Sequence, residues 1–190
     1  MRPGIPMDPS TVFSGEKVYI RPIRRSDTGT LLSWRNSDYV MKNFFYRKPI
    51  SEEEHVNWLE NKVEKGLVYQ FIVCRKDTEE PVGCVYFQGY DEKENSMESG
   101  LFMSPEAPKS VGLAGEAYRL MIFDFGKEVL GLSKASARIL CDNAVSIRVH
   151  EKLGFVRKTE ETLSIVPGGE SVRALFMMCD LNKNINIQEA

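Results

Sequence analysis

No uncharged apolar run in this 190-residue chain approaches the roughly 18 residues needed to cross a bilayer. The opening residues, MRPGIPMDPS, lack the apolar core of a secretory leader. The expected location is therefore cytoplasmic, with no membrane partner. Histidine is scarce: there are two in the chain, beside four cysteines (Cys74, Cys84, Cys141 and Cys179) that are widely spaced and form no CxxC. A zinc site is hard to assemble from these, so no metal is expected and the thiols are read as reduced and buried. Net charge is also small, since 25 Lys and Arg against 27 Asp and Glu leave −2. That balance offers no global field to nucleic acid, which is not expected as a partner.

What is present is ordinary globular composition, 42% apolar and 27% charged, which excludes disorder, collagen-like repeats and coiled coil. The length suits one domain better than two. The expected layout is a flexible N-terminal arm over 1–14, carrying three prolines, then one domain over 15–182, then a loose polar tail over 183–190.

Local signals order the elements. KVYIRPI (17–23) has strand composition, and Ser26 with Asp27 offers a cap for a helix through TGTLLSWRN. Ser51 and Glu54 form a capping box ahead of a second helix, whose inner stripe is His55, Trp58, Leu59 and Val63 and whose stop is Gly66. VYQFIVCRK, PVGCVYFQGYD and NSMESGLFMSP read as three antiparallel strands. A long helix follows from Gly112 to about Leu130, with Leu113, Ala117, Leu120, Met121, Phe125 and Val129 toward a core. SKASARIL is a strand, NAVSIRVHEKLGF a short helix closed by Gly154, and the end is a hairpin turning at Pro167 to Gly169. On the short helix Asn143, Ser146 and His150 share one face, beside an apolar stripe of Val145, Val149 and Leu153. The order is mixed, without strict strand and helix alternation, and the fold class is α+β.

The loop APKSVGLAGEAYRL, which runs straight into the long helix, admits two readings. It is a cradle in which glycines let helix N-terminal amides approach an anion, or simply a tightly packed helix start. A Walker loop is excluded because no Lys-Ser or Lys-Thr follows Gly112 or Gly115. A dinucleotide fingerprint fits poorly, since the loop is G-x-A-G and follows antiparallel strands.

Lys109-Ser-Val-Gly112-Leu-Ala114 resembles the [RQ]-x-x-G-x-[GA] loop of the GNAT superfamily of N-acetyltransferases, with lysine at the first position. Asn143-Ala-Val-Ser146-Ile-Arg-Val-His150-Glu-Lys-Leu-Gly154-Phe155 is similar to that superfamily's N-x-x-[SA]-x-x-x-[YH]-E-K-L-G-F motif. The resemblance spans about 17–182. Within it, WRN at 34–36 followed by PISEEEHVNWLE is similar to the branch of ribosomal-protein, spermidine and nucleotide-amino-sugar acetyltransferases.

The resemblance implies a mostly antiparallel mixed sheet of about six to seven strands flanked by helices, with acetyl-CoA as the acetyl donor. It implies that Lys109, Val111, Gly112, Leu113, Ala114 and Gly115 hold the diphosphate. A backbone amide near Phe102 and Met103 would face the acetyl carbonyl, and Asn143 and Ser146 would contact the donor. His150 stands where relatives often carry a tyrosine that protonates the departing sulfur; it is either that donor or a hydrogen-bonded packing residue. Glu98, on the strand implied to lie beside the acetyl group, is either the base for the amine or a solvated strand carboxylate. Arg35, Asn36, His55 and Trp58 are candidates for acceptor contacts, although a surface ion pair for Arg35 and a core position for Trp58 are the plain alternatives.

The expected function is acetyl transfer to a primary amine by direct attack in a ternary complex, since neither motif carries a cysteine to form an acetyl-enzyme. The acceptor is a small molecule or peptide: a nucleotide amino sugar, a protein N-terminus or a polyamine. The alternative is a non-catalytic acyl-CoA-binding or sensor module. Monomer and homodimer are both compatible.

Overall fold

Antiparallel pairing builds most of the sheet, and one parallel step changes its course. The computed structural model describes residues 3–109, 112–164 and 171–183. Its strands are β1 (Phe13–Ser14), β2 (Val18–Pro22), β3 (Tyr69–Arg75), β4 (Pro81–Asp91), β5 (Ser96–Met103), β6 (Lys134–Leu140), β7 (Val156–Ser164) and β8 (Ser171–Asp180). They lie in one sheet in the order β1-β2-β3-β4-β5-β6-β8-β7, and every pair is antiparallel except β5 with β6.

The helices are α1 (Thr28–Arg35), α2 (Asp38–Met41), α3 (Glu52–Trp58), α4 (Leu113–Arg119) and α5 (Ala144–Lys152). The α3 helix widens into a π-helical turn over Leu59–Val63, and α4 does the same over Leu120–Lys127. The capping box of α3 forms as its sequence requires: Ser51 Oγ accepts from the Glu54 amide at 3.2 Å, and Glu54 Oε2 accepts from the Ser51 amide at 2.7 Å.

Among the described residues eight strands stand where about six to seven were expected. The additional strand is β1, two residues with no periodic signal, in which Phe13 pairs with Ile20 and packs edge-on against Phe71 and Phe125 at 6.0 and 5.7 Å. Nearby, the Tyr69 hydroxyl donates to the Ile5 carbonyl at 3.0 Å and the Gly4 amide to the Gly66 carbonyl at 3.0 Å. The hairpin turn at 167–169 and residues 184–190 of the tail lie outside the described residues.

The sheet carries a core on each face. Val18, Phe71, Val85 and Met97 meet α4 and its extension through Ala117, Tyr118, Met121 and Phe125. Ile72, Cys74, Cys84 and Phe102 meet α1, α2 and α3 through Leu31, Trp34, Val40 and Leu59. On α5 the buried residues are Ile147 and His150, with Leu153 buried just past its end, while Val145, placed in an apolar stripe from sequence, is 70% exposed. Val145 faces an opening instead.

Candidate active site

The opening follows from the one parallel pairing. β5 and β6 pair only over Ser96–Glu98 against Lys134–Ser136, although both strands run further, to Met103 and Leu140. At the apex, Ser99 Oγ donates to the Ser136 carbonyl at 2.8 Å. Beyond it the strands part, and their separated edges form walls of a cleft of about 890 Å³. The start of α5 borders it with Asn143, Val145, Ser146 and Val149, and α4 contributes Ala114. Asn143 caps α5, its Oδ1 accepting from the Ser146 amide at 3.1 Å.

The ladder shows which β5 amides face this opening. Ser104 N donates to Val82 O at 2.8 Å, so the opposed pairs of the same parity, Phe102 with Cys84 and Gly100 with Tyr86, exchange their hydrogen bonds with β4. The amides of Leu101 and Met103 then point the other way, into the gap. Phe102 directs its amide at β4, so of the two residues singled out from sequence Met103 presents a main-chain donor, and Leu101 joins it.

Glu98 lies on the cleft wall, where its carboxylate pairs with Nη1 of Arg138 on β6. The same guanidinium donates through Nε to Glu161 at 3.0 Å. His150 is 2% exposed and lies between α5 and α4. Its Nδ1–H donates to the Ser146 carbonyl at 2.7 Å, which leaves Nε2 to accept from the Tyr118 hydroxyl at 2.8 Å. Burial pushes the imidazole down to about 4, so the ring is neutral and its single proton is held by Ser146. Tyr118, fully buried, also meets Ser99 Oγ at 2.5 Å, and burial drives its phenol well above the ordinary range. Three side chains thus tie the apex of the opening to α4 and α5.

The α4 start combines backbone freedom with exposure. Gly112 sits in the left-handed region (φ +71°, ψ +11°), is exposed, and caps the helix without any side-chain bond. The first-turn amides of a helix have no intrahelical partner. Lys109 is exposed, with Nζ 5.3 Å from the centre of the Tyr39 ring.

The family model of the acetyltransferase (GNAT) domain matches residues 17–156. The chain belongs to the GNAT acetyltransferase family. An uncharacterized protein of Methanocaldococcus jannaschii is 30% identical over 148 residues, which cover 76% of this chain and 29% of that protein's length. The uncharacterized N-acetyltransferase YoaA of Bacillus subtilis is 23% identical over 152 residues, 77% of this chain and 84% of that one. Among solved structures, the spermidine N-acetyltransferase of Vibrio cholerae in complex with CoA and spermine superposes with a TM-score of 0.78 at 17% identity, covering 89% of this chain and 98% of that one.

In this GNAT protein the residues singled out from sequence divide in four. Arg35, His55, Trp58, Glu98, Phe102, Met103, Ala114, Asn143, Ser146 and His150 border the one cleft. Lys109, Gly112, Leu113 and Gly115 lie outside its wall; Leu113 is 5% exposed in the core, so only its main chain is available to a ligand. Val111 lies outside the described residues. Asn36 is spent elsewhere, for its amide both donates to the Ile50 carbonyl and accepts from the Ile50 amide, each at 2.8 Å. Residues that sequence reasoning missed are Gln70, Tyr86, Leu101, Tyr118 and Arg138. Tyr86 and Gln70 follow the period-two alternation of their strands, whereas Tyr118 and Arg138 become visible only through partners far along the chain. Among the described residues no three His, Cys, Asp or Glu side chains gather to hold a metal ion, and no helix is long and apolar enough to cross a membrane.

Proposed function

We propose that the chain is an acetyl-CoA-dependent N-acetyltransferase that moves the acetyl group to a primary amine by direct attack in a ternary complex. The observation that carries this is the parting of β5 from β6 beyond Glu98, with the Leu101 and Met103 amides turned into the gap. The residues present fit the donor. An exposed left-handed Gly112 starts α4, the exposed Val145 offers apolar surface beside Ala114 and Val149, and the gap leads from there to β5. Gly112, Ala114 and Gly115 would hold the diphosphate through main-chain amides, with Lys109 and Val111 flanking them.

Bound acetyl-CoA supplies an activated acetyl group. The Leu101 and Met103 amides donate to the carbonyl oxygen as negative charge gathers there. Glu98 takes the proton of the incoming amine, directly or through a water, and Arg138 fixes the orientation of the carboxylate. A free alkylamine has a pKa near ~10, so only about one molecule in a thousand attacks unaided at neutral pH. The engagement of both ring nitrogens supports a positioning role for His150, with water protonating the departing thiolate.

A second reading, an acyl-CoA-binding module without turnover, draws on the same two facts: Glu98 is held by Arg138, and His150 has no proton to spare. Release of free thiol from acetyl-CoA across a panel of amines separates the two. Turnover with any amine, lost in Gly112→Val, supports the transferase; binding of CoA without turnover across the panel supports the module.

A further inference from the structure

Among the described residues, three buried side-chain atoms lack a hydrogen-bond partner: Nη1 of Arg35, Nε2 of His55 and Oε1 of Gln70. The three residues are 6%, 4% and 4% exposed, and all of them line the cleft. They come from α1, α3 and β3, the side of the sheet opposite α4. Buried polar groups are nearly always paired, so three orphans in one wall mark a surface shaped for something polar.

Arg35 decides the sign of that partner. Its Nη2 donates to the Tyr46 carbonyl at 2.8 Å, and its guanidinium lies 3.9 Å from the centre of the Phe44 ring. It takes part in none of the ion pairs among the described residues, so its positive charge is buried without a carboxylate. The two carboxylates on the cleft wall are both engaged, Glu98 with Arg138 and Glu54 with the Ser51 amide. Phe44 in turn meets Phe102 edge-on at 5.6 Å, which ties the guanidinium to the strand that carries the Leu101 and Met103 amides. A guanidinium cannot shed its proton to escape burial, and it matches carboxylate and phosphate oxygens geometrically.

We propose that Arg35 anchors an anionic group of the acceptor, a carboxylate or phosphate carried close to the amine, with His55 Nε2 beside it and Gln70 Oε1 placed to accept from an N–H of the acceptor. The assignment rests on the acetyl-transfer reading and narrows its acceptor to small amines that carry a negative group. A polyamine is disfavoured, because Arg35, Lys42 and Arg138 outnumber Glu54 and Glu98 on the wall.

The test is thiol release at saturating acetyl-CoA with matched acceptors: L-amino acids against their primary amides, phosphoethanolamine against ethanolamine, and spermidine. The anionic member of a pair is expected to be favoured by roughly 10- to 100-fold in kcat/KM, the range of a charge-assisted hydrogen bond. The amino-acid and phosphate arms tell which anion is used. Arg35→Met is expected to abolish the preference, and Arg35→Lys, which keeps the charge but not the fork, to shrink it. The inference is overturned if neutral amides or spermidine react as well as the acids, or if Arg35→Met or, should that variant not fold, Arg35→Lys keeps the full preference. If no amine is acetylated, the acetyl-transfer reading fails by itself. Thermal shift of the CoA-loaded protein then decides the anchor: stabilisation by an acid and not its amide, lost in the Arg35 variants, upholds it, and equal response to both overturns it.

Discussion

Replacing His150 with Phe removes a titrating group that the fold holds neutral, and the consequence for acid stability can be worked out. The ring is 2% exposed, and burial lowers its pKa from the ordinary 6.5 to about 4. In the unfolded chain the same group protonates as pH falls through about 6.5, while in the native chain it resists until about 4. Between those values the unfolded state binds more protons, so stability rises with pH across the window and is lost as pH falls through it. About 2.5 pH units at about 1.4 kcal/mol each gives a limit of about 3.5 kcal/mol, of which about 3 kcal/mol is lost by pH 4, where the native ring is half protonated. For a chain of this size that is a fall in Tm of about 6–12 °C. The phenyl ring of the variant would keep the ring contacts with Tyr118 and Phe155, and the Tyr118 hydroxyl would retain Ser99 as partner. Thermal unfolding from pH 7 to pH 4 should therefore show the wild type losing about 3 kcal/mol more than His150→Phe. His55, also lowered by burial, and the carboxylates are common to both proteins and cancel. Parallel Tm curves would refute the buried neutral imidazole. The same variant at saturating acetyl-CoA should keep its kcat if His150 positions rather than donates.

Three other substitutions probe separate parts of the cleft. Gly112→Val places a branched side chain at φ +71°, and should cost about 1–2 kcal/mol of stability and weaken acetyl-CoA binding by well over tenfold in calorimetry. Val145→Glu changes a residue that is 70% exposed, so Tm should hold within the range of about 0.5 kcal/mol typical of surface changes, while CoA affinity falls. Glu98→Gln should lower kcat by about 10²- to 10⁴-fold with CoA affinity unchanged; an unaltered kcat would place the base elsewhere.

Local signals carried much of the architecture. The capping box at Ser51 and Glu54, the apolar composition of the three central strands and the glycine stops needed only neighbours within a few residues, and these elements stand where those signals put them. The α5 helix shows the limit of periodicity. Val145, Val149 and Leu153 fit an apolar stripe, yet Val145 borders the cleft and is exposed, because periodicity does not tell a face turned to a core from one turned to an opening. β1 was hidden because two residues carry no period.

The site's central relations join residues far apart in sequence, and no local rule exposes them. Glu98 meets Arg138 across 40 positions, and Tyr118 meets His150 across 32. The parting of β5 from β6 depends on a parallel pairing that ends after one short stretch. The two motifs point to a donor side from residue identities alone. Arg35, by contrast, had an ordinary surface reading until its burial without a carboxylate became visible.

The most direct measurement is a crystal structure with acetyl-CoA or CoA bound. The account predicts the diphosphate against the main chain at Gly112 to Gly115, the pantetheine arm between β5 and β6, and its thioester end at the Leu101 and Met103 amides. Coenzyme bound on another face, or a gap between β5 and β6 left without it, would contradict the account.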